Sequence, residues 1–250
     1  MGTSFHKGFQ KHRSFQKQRG RIMRVGAQTH GTAWTHGALR WVGVVWLLLS
    51  CTGCLPAQPE ELVAEDGFLT VEPGVLEQVV ALGGEWRAYA GADSVVFASY
   101  DYDDSHWQRV AISDDFKAQG FPDEGLVYYR LHLRLPPNAP PVMGFIQHTN
   151  NAHTLYVAQP RRPPVLAASS GRPGLTPDVT ERSRAPVNFQ LPADTSLVLT
   201  WKVANHDYLN GGAFHRIQIG MASAYHRHAL NRTIALSVQG GFYLDRKSVV

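Results

Sequence analysis

Leu126-Val-Tyr-Tyr-Arg-Leu-His-Leu-Arg-Leu135 is the stretch that decides the fold of this chain. Apolar or aromatic side chains occupy every odd position from 127 to 135. Because successive side chains of a β-strand point to opposite faces, this alternation predicts a strand with one core face and one solvated face. Pro136-Pro137 ends it, since proline lacks the amide hydrogen that a sheet requires. The side chains predicted on the solvated face are Tyr128, Arg130, His132 and Arg134.

The rest of the body also has a sequence pattern typical of β-strands. From about residue 67 onward, short β-rich runs alternate with clusters of Gly, Pro, Asp and Asn, and no apolar stripe of helical period is sustained. Nine or so strands at this spacing predict an all-β sandwich over 67–228, with a long loop at 159–185 that carries one short strand near 165–168. The other predicted strands are Gly67–Val71, Glu85–Tyr89, Gln108–Ile112, Val142–Gln147, Thr154–Ala158, Val187–Leu191, Ser196–Ala204 and Phe214–Gly220.

The first 54 residues differ from the body in charge. They hold eight Lys and Arg residues and no acid, whereas the chain from residue 55 onward has 16 basic against 20 acidic residues. The formal net charge of +4 is therefore the sum of +8 in the leader and −4 in the body. A body with this balance has no general attraction for phosphate, which argues against nucleic acid as a partner.

An apolar run of about ten residues, Trp41–Ser50, follows the basic leader. It is too short to cross a hydrocarbon core of about 30 Å, but it has the length of the apolar part of a signal peptide. We therefore expect residues 1–54 to be a signal peptide and the body to be exported. Met23 is an alternative start that gives a leader of ordinary length.

Both cysteines of the chain follow this run. Leu48-Leu-Ser-Cys51 resembles the bacterial lipobox, in which the cysteine is acylated, and Cys54 is a competing site. Ordinary signal cleavage nearby is the alternative. No cysteine remains in the body, so no disulfide can stabilise it. The polar, proline-containing residues 55–66 are predicted to be a linker between membrane and domain.

Four landmarks in the body occur in a specific order. They are Leu82-Gly-Gly-Glu-Trp86, Asp104-Ser-His-Trp-Gln-Arg-Val110, Gly125-Leu-Val-Tyr-Tyr-Arg130 and Ala152-His-Thr-Leu-Tyr-Val157. This order resembles the sugar-binding jelly-roll at the N-terminus of family 2 glycoside hydrolases, and the resemblance implies a galactose-binding-like β-sandwich. Ala158-Gln-Pro160 stands where that family usually has an Asn-Gly turn.

The later stretch, Val203-Ala-Asn205 followed by Gly211–Gly220, resembles a related group. These are the extracellular sensor domains of bacterial seven-transmembrane receptors with diverse intracellular signalling modules. The resemblance covers about 67–235 and implies that the chain enters a first membrane helix over 229–244. Residues 245–250 match a translated sequencing adapter, so we expect the natural protein to continue past residue 244.

Sugar-binding surfaces combine aromatic faces with hydrogen-bonding side chains. For the tryptophans, packing in the core is the competing interpretation. For the polar face of 126–135, a solvated sheet surface is the competing interpretation. The candidate ligand-binding residues are Trp107, Tyr128, Arg130, Asn151, His153, Trp201 and Asn205.

Catalytic signatures are absent from the sequence, which has no G-x-S-x-G, H-E-x-x-H or P-loop motif. Adjacent acids such as Asp103-Asp104 and Asp114-Asp115 are typical of turns. His206-Asp207 and His226-Arg-His228 have no third ligand at metal-binding spacing. We expect no catalytic residue, no metal and no cofactor.

These observations predict a non-catalytic, extracytoplasmic sensor domain of a membrane receptor. It would bind carbohydrate or another small ligand at the periplasmic face of the membrane or at the cell surface. The alternatives are the accessory sugar-binding module of a family 2-like glycoside hydrolase and a free-standing lipoprotein.

Overall fold

The computed structural model describes residues 59–112, 114–149, 152–227 and 230. The predicted signal peptide with Cys51 and Cys54, the candidate Asn151, and His228 lie outside these ranges. So does the predicted membrane segment apart from Leu230, and the whole of 231–250. Within the described ranges no helix is both long and apolar enough to cross a membrane.

Regular structure in the described part of the chain is almost entirely β, so the predicted all-β class is confirmed. A helical segment at 222–227 and three short 3-10 turns, Val75–Glu77, Val95–Ala98 and Pro177–Val179, are the exceptions there. The strands are β1 Glu60–Ala64, β2 Phe68–Thr70, β3 Val80–Ala90, β4 Gln108–Ala111, β5 Gly125–Arg134, β6 Val142–Ile146, β7 Ala152–Ala158, β8 Val165–Ser170, β9 Val187–Gln190, β10 Ser196–Asn205 and β11 Gln218–Met221.

The strands form two layers that share one long strand. The larger sheet has the order β8-β7-β10-β5-β3-β4, with β2 parallel to the end of β5. The smaller sheet has the order β1-β3-β11-β6-β9, in which β1 runs parallel to β3 and the other pairs are antiparallel. This is the jelly-roll sandwich of galactose-binding-like type that the sequence predicts.

Strand β3 passes from one sheet to the other. Its first half, 80–84, pairs with β1 and β11, and its second half, 85–90, pairs with β4 and β5. Gly84 lies between the halves with φ 78°, and a Cβ there would lie 2.3 Å from both the nitrogen and the oxygen of Ala64. The crossing therefore requires glycine, for its positive φ and for its missing side chain.

The core between the layers is filled by the odd-numbered face of β5 and the face of β10 that pairs with it. Both faces are buried, so the predicted core face of 126–135 is confirmed. Each fully buried Val or Leu stabilises the fold by about 1.5–3 kcal/mol relative to exposure. The paired core residues are Val127 with Val203, Tyr129 with Trp201, Leu131 with Leu199, and Leu133 with Leu197.

The structure corrects two predicted boundaries. The ordered fold starts inside the predicted linker 55–66, because β1 pairs with β3 and packs Leu62 and Ala64 on the core. The predicted strand Phe214–Gly220 begins only at Gln218, because the preceding segment is a loop whose Gly211 carbonyl accepts a hydrogen bond from the amide of Phe116 at 2.8 Å.

Replacing Gly84 with Ala tests the crossing of β3. We expect Gly84→Ala to lower the free energy of unfolding by at least about 2 kcal/mol, because it adds an unfavourable φ and an overlap with the Ala64 backbone. Gly74→Ala is the matched control, since Gly74 has φ 87° but nothing within 4 Å of a Cβ. Urea unfolding measures both, and equal losses in the two variants would contradict the role of close packing.

Candidate functional site

The structure divides the predicted ligand-binding residues between the two faces of the larger sheet. Trp107, Tyr128 and Arg130 lie on the outer face, whereas His153, Trp201 and Asn205 point between the layers. All six are buried, so they do not form the exposed binding surface that the sequence predicts. Asn151 lies outside the described residues.

The outer face is closed by the loop between β3 and β4, residues 91–107, which we call the cover loop. Phe97 of this loop packs edge-on against Tyr128 and Trp107, with ring centroids 5.1 and 5.4 Å apart. Tyr102 packs against Phe97 at 5.2 Å, and Tyr89 of β3 completes the cluster. Trp107 is therefore a packing residue of this aromatic cluster, as the competing interpretation of the tryptophans predicted.

A buried ion pair holds the cover loop in place. Arg130 is 0% exposed, and its Nε donates to Oδ2 of Asp104 at 2.7 Å. Its Nη1 donates to the carbonyls of Phe97 and Ser99. The solvated face predicted for Tyr128 and Arg130 is therefore wrong, because the polar groups find partners in a loop that covers the sheet.

Asp104 also contacts a histidine of β5. The Nε2 of His132 lies 3.0 Å from the same carboxylate oxygen that Arg130 contacts. Burial by itself would raise the pKa of the Asp104 carboxyl, but the hydrogen bonds with His132 and Arg130 outweigh it and lower the pKa to about 2. The carboxylate is charged at neutral pH and balances the buried guanidinium.

A second tether fixes the start of the cover loop. The Tyr128 hydroxyl donates to Oδ1 of Asp93 at 2.5 Å, and Nζ of Lys202 lies 2.7 Å from the same oxygen. Burial, followed by the contact with Asp93, raises the pKa of Tyr128, so the phenol stays protonated. The even-numbered face of β5 thus anchors both ends of the loop.

On the inner face, His153 and Asn205 support loops at one end of the sheet. His153 Nδ1 is hydrogen-bonded to Oγ1 of Thr149 at 2.9 Å, and burial lowers the pKa of the imidazole to about 4. Asn205 Nδ2 donates to the carbonyls of Asp123 and Tyr208, each at 2.8 Å, and Oδ1 accepts from the Tyr208 amide at 3.2 Å. Asn205 therefore fixes the turn that presents Tyr208.

An exposed polar and aromatic patch lies at this end, where β5 begins and β10 ends. We call it the Tyr208 surface, and it consists of His148, Arg184, Tyr208, Leu209 and His215. The Tyr208 residue is 38% exposed, and the Arg184 guanidinium carbon lies 5.5 Å from its ring centroid. Leu209 is 93% exposed. The patch combines an accessible ring with hydrogen-bond donors.

Two histidines far apart in sequence meet in the Tyr208 surface. The Nε2 atoms of His148 and His215 lie 3.2 Å apart, and their ring centroids are 4.2 Å apart. Burial, and then the nearby charge of Arg184, lowers the pKa of His148 below 6.5. Burial lowers the pKa of His215 as well, with smaller effects from His148 and Arg184. Both rings are therefore neutral at pH 7.

A groove of about 360 Å³ lies at the same end of the sheet, at the start of β5. Its wall includes Pro122, Glu124, Gly125 and Leu175, and its volume falls within the range of about 300–1,000 Å³ that is usual for ligand pockets. A larger hollow of about 480 Å³ lies at the opposite end of β5, between the β5–β6 and β9–β10 turns. That hollow is lined by four prolines and contains no aromatic ring or histidine.

Of the two histidine pairs that the sequence singles out, His206-Asp207 has structural partners. His206 Nε2 donates to the carbonyl of Gly174 at 3.0 Å, and Asp207 pairs with Arg182 at 2.5 Å. His226 is exposed on the helical segment, and its predicted companion His228 is outside the described residues. In the described part of the chain, no three His, Cys, Asp or Glu side chains form a group that could hold a metal.

Sequence reasoning missed all five members of the Tyr208 surface. Arg184, Tyr208, His148 and His215 lie in loops, where no periodicity marks a residue, and their meeting depends on how the strands are paired. The turn after Asn205 is the one local signal, because an Asn that bonds to the backbone three residues later is typical of a structured turn.

No protein-family model matches the chain, and no curated protein matches it. Similar solved structures include a β-glucuronidase from Bacteroides uniformis (15% identity, TM-score 0.44, covering 57% of this chain and 17% of that one). A β-glucuronidase from Faecalibacterium prausnitzii is similar at 12% identity and a TM-score of 0.41, covering 56% of this chain and 31% of that one. A family 2 glycosyl hydrolase from Bacteroides cellulosilyticus is similar at 12% identity and a TM-score of 0.43, covering 57% of this chain and 20% of that one. This chain spans less than a third of each of these proteins. At TM-scores below 0.5 the likenesses carry no functional argument, and the fold assignment rests on strand order and register.

Replacing Asp104 with Asn tests the anchor of the cover loop. We expect Asp104→Asn to lower the free energy of unfolding by about 3 kcal/mol, because it leaves the Arg130 charge buried without a counterion. Asp101→Asn in the same loop is the control and should behave like the unaltered chain, since Asp101 is exposed. Equal stability of the Asp104→Asn variant in urea unfolding would show that the ion pair is not needed.

The same carboxylate predicts a pH dependence. Its pKa in the folded chain, about 2, lies below the ordinary 3.8, so protons bind the unfolded chain more tightly. The contribution of Asp104 is complete above 3.8 and is lost as pH falls toward 2. We therefore expect the stability difference between the unaltered chain and Asp104→Asn to shrink across this window. A difference that stays constant down to pH 2 would refute the low pKa.

Proposed function

We propose that this chain carries a non-catalytic, exported binding domain that recognises carbohydrate or another small ligand through the Tyr208 surface. The observation that carries the proposal is the exposed Tyr208 ring, which lies in a turn that Asn205 holds through two hydrogen bonds with the Tyr208 backbone and one with the Asp123 carbonyl. A pyranose has apolar C–H faces and a polar rim, so a fixed aromatic ring beside donors is a suitable partner.

The neighbouring side chains supply the polar half of such a site. Arg184 makes no ion pair among the described residues and lies over one side of the Tyr208 ring. His148 and His215 are neutral and half-buried, so each can donate or accept a hydrogen bond. The groove at the start of β5, at the same end of the sheet, gives room for further ligand atoms.

The acidic pairs of the sequence support a binding role over hydrolysis. Asp104 is committed to Arg130 and His132, and Asp103 accepts a hydrogen bond from the amide of Ser105. Asp115 accepts one from the amide of Ala118, which is the role of a turn-forming residue. Glycosidases need two free carboxyls on opposite sides of a bond, and these acids have other roles.

Within this proposal, the domain is the ligand-sensing part of a membrane signalling receptor at the periplasmic face or cell surface. The support is the resemblance of Val203–Asn205 and Gly211–Gly220 to receptor sensor domains. The alternative is the accessory sugar-binding module of a family 2-like glycoside hydrolase, which the order of landmarks from Leu82 to Val157 favours. A free-standing lipoprotein anchored at Cys51 or Cys54 is the third possibility.

Sequencing the uninterrupted gene beyond codon 244 separates these three placements. Seven apolar spans of membrane length would support the receptor. Alternating β and α elements of a catalytic barrel would support the hydrolase module, and an early stop codon would support the lipoprotein.

Binding itself is tested with the full chain on a glycan array, followed by calorimetry with the best glycan. We expect Tyr208→Ala to weaken binding by about tenfold or more, because a stacked ring contributes about 0.5–1.5 kcal/mol beyond its buried area. Phe68→Ala is the matched control, since Phe68 is an exposed ring at the opposite end of β5. Loss of binding in the control alone, or an array without any bound glycan, would count against the proposal.

A further inference from the structure

His148 and His215 are two potential metal ligands that lie close together in the Tyr208 surface. These residues lie in the loop after β6 and the loop before β11, and the pairing of β6 with β11 brings the two loops together. Their Nε2 atoms are 3.2 Å apart, and both residues are half-buried. Neither imidazole has a carboxylate partner among the described residues.

We propose that His148 and His215 form a two-histidine site for a divalent transition-metal ion, with Zn²⁺ as the representative case. With Zn–N bonds of about 2.0–2.1 Å, two nitrogens 3.2 Å apart subtend an angle of roughly 100° at the metal, near the tetrahedral value of about 109°. The separation of the two nitrogens thus matches the bite of a chelate, and rotation of the two rings would aim both nitrogens at one ion.

The protonation state of the rings suits this role. Metal ions bind neutral imidazole, and burial keeps both rings neutral at pH 7. Ligation through both Nε2 atoms requires each ring to carry its proton on Nδ1, so the ring that donates in the present N–H···N contact changes tautomer. No net proton is released in that exchange.

Two protein ligands leave two positions of a tetrahedral ion open. Water or an oxygen atom of a bound ligand can occupy them, as in zinc sites that keep an open position. The site differs from the His206-Asp207 and His226-His228 pairs of the sequence, because it joins residues that only the fold brings together. It does not depend on the proposed carbohydrate ligand, since the ion is held by the protein alone.

Arg184 opposes the ion. Burial is the first cause of the lowered pKa of both imidazoles, and the positive charge of Arg184 contributes a smaller part, so this charge would also repel a cation held between them. This opposition gives a test with a direction that a purely structural histidine pair would not show. Removing the Arg184 charge should strengthen metal binding, although the residue is no ligand.

The experiment is calorimetric titration of the full, chelator-treated chain with Zn²⁺ and no carbohydrate. We expect loss of one bound Zn²⁺ equivalent in His148→Gln and in His215→Gln, and a lower Kd for that equivalent in Arg184→Gln. His106→Gln, at an exposed histidine of the cover loop, is the control for the many other histidines and should keep the equivalent. Unfolding temperatures without metal establish that each variant is folded.

The metal site would be overturned if the doubly substituted His148→Gln/His215→Gln chain bound as many Zn²⁺ equivalents as the unaltered chain. Loss of a Zn²⁺ equivalent in His106→Gln alone would also overturn it. So would an unchanged Kd for Zn²⁺ in Arg184→Gln. The last measurement keeps the proposal falsifiable if the histidine variants fail to fold. Failure of the glycan array would leave these results unaffected, so the two proposals fail separately.

Discussion

The buried contact between Asp104 and Arg130 is the interaction on which the outer half of this domain depends. Arg130 stands in the middle of the central strand β5, where no water reaches its guanidinium. Its charge is tolerable there only because the cover loop supplies a carboxylate and a set of backbone carbonyls. The arginine therefore determines where the loop lies, and the loop in turn completes the aromatic cluster of Phe97, Trp107 and Tyr128.

This arrangement leaves the loops at the end of the sheet as the place for the proposed binding surface. One face of β5 packs against the smaller sheet, and most of the other face lies under the cover loop. The loops at the strand ends remain accessible, as is usual for binding sites carried on a rigid scaffold. Asn205 connects the two regions, because it is buried in the sheet and holds the turn of Tyr208.

The sequence predicts the parts of this structure that depend on local pattern. The alternation along 126–135 identifies the core face of β5, and the spacing of the short runs identifies the sandwich. It does not predict that Arg130 is buried. The alternation of polar and apolar residues along the strand places Arg130 on the polar face, but it does not show that a loop carrying Asp104 covers that face. It likewise cannot pair His148 with His215, whose contact follows from the register of β6 with β11.

The passage of β3 through both sheets has a consequence for how the chain folds. Val80 pairs with Ile219, near the other end of the domain, so the smaller sheet cannot be completed until nearly all of the domain has left the ribosome. Pairings of such long sequence separation make folding slow. The same shared strand prevents either layer from detaching alone, because melting one half of β3 removes the edge on which the other layer is built. The domain should therefore unfold in one cooperative step, and a chain that is still being synthesised cannot hold the smaller sheet together.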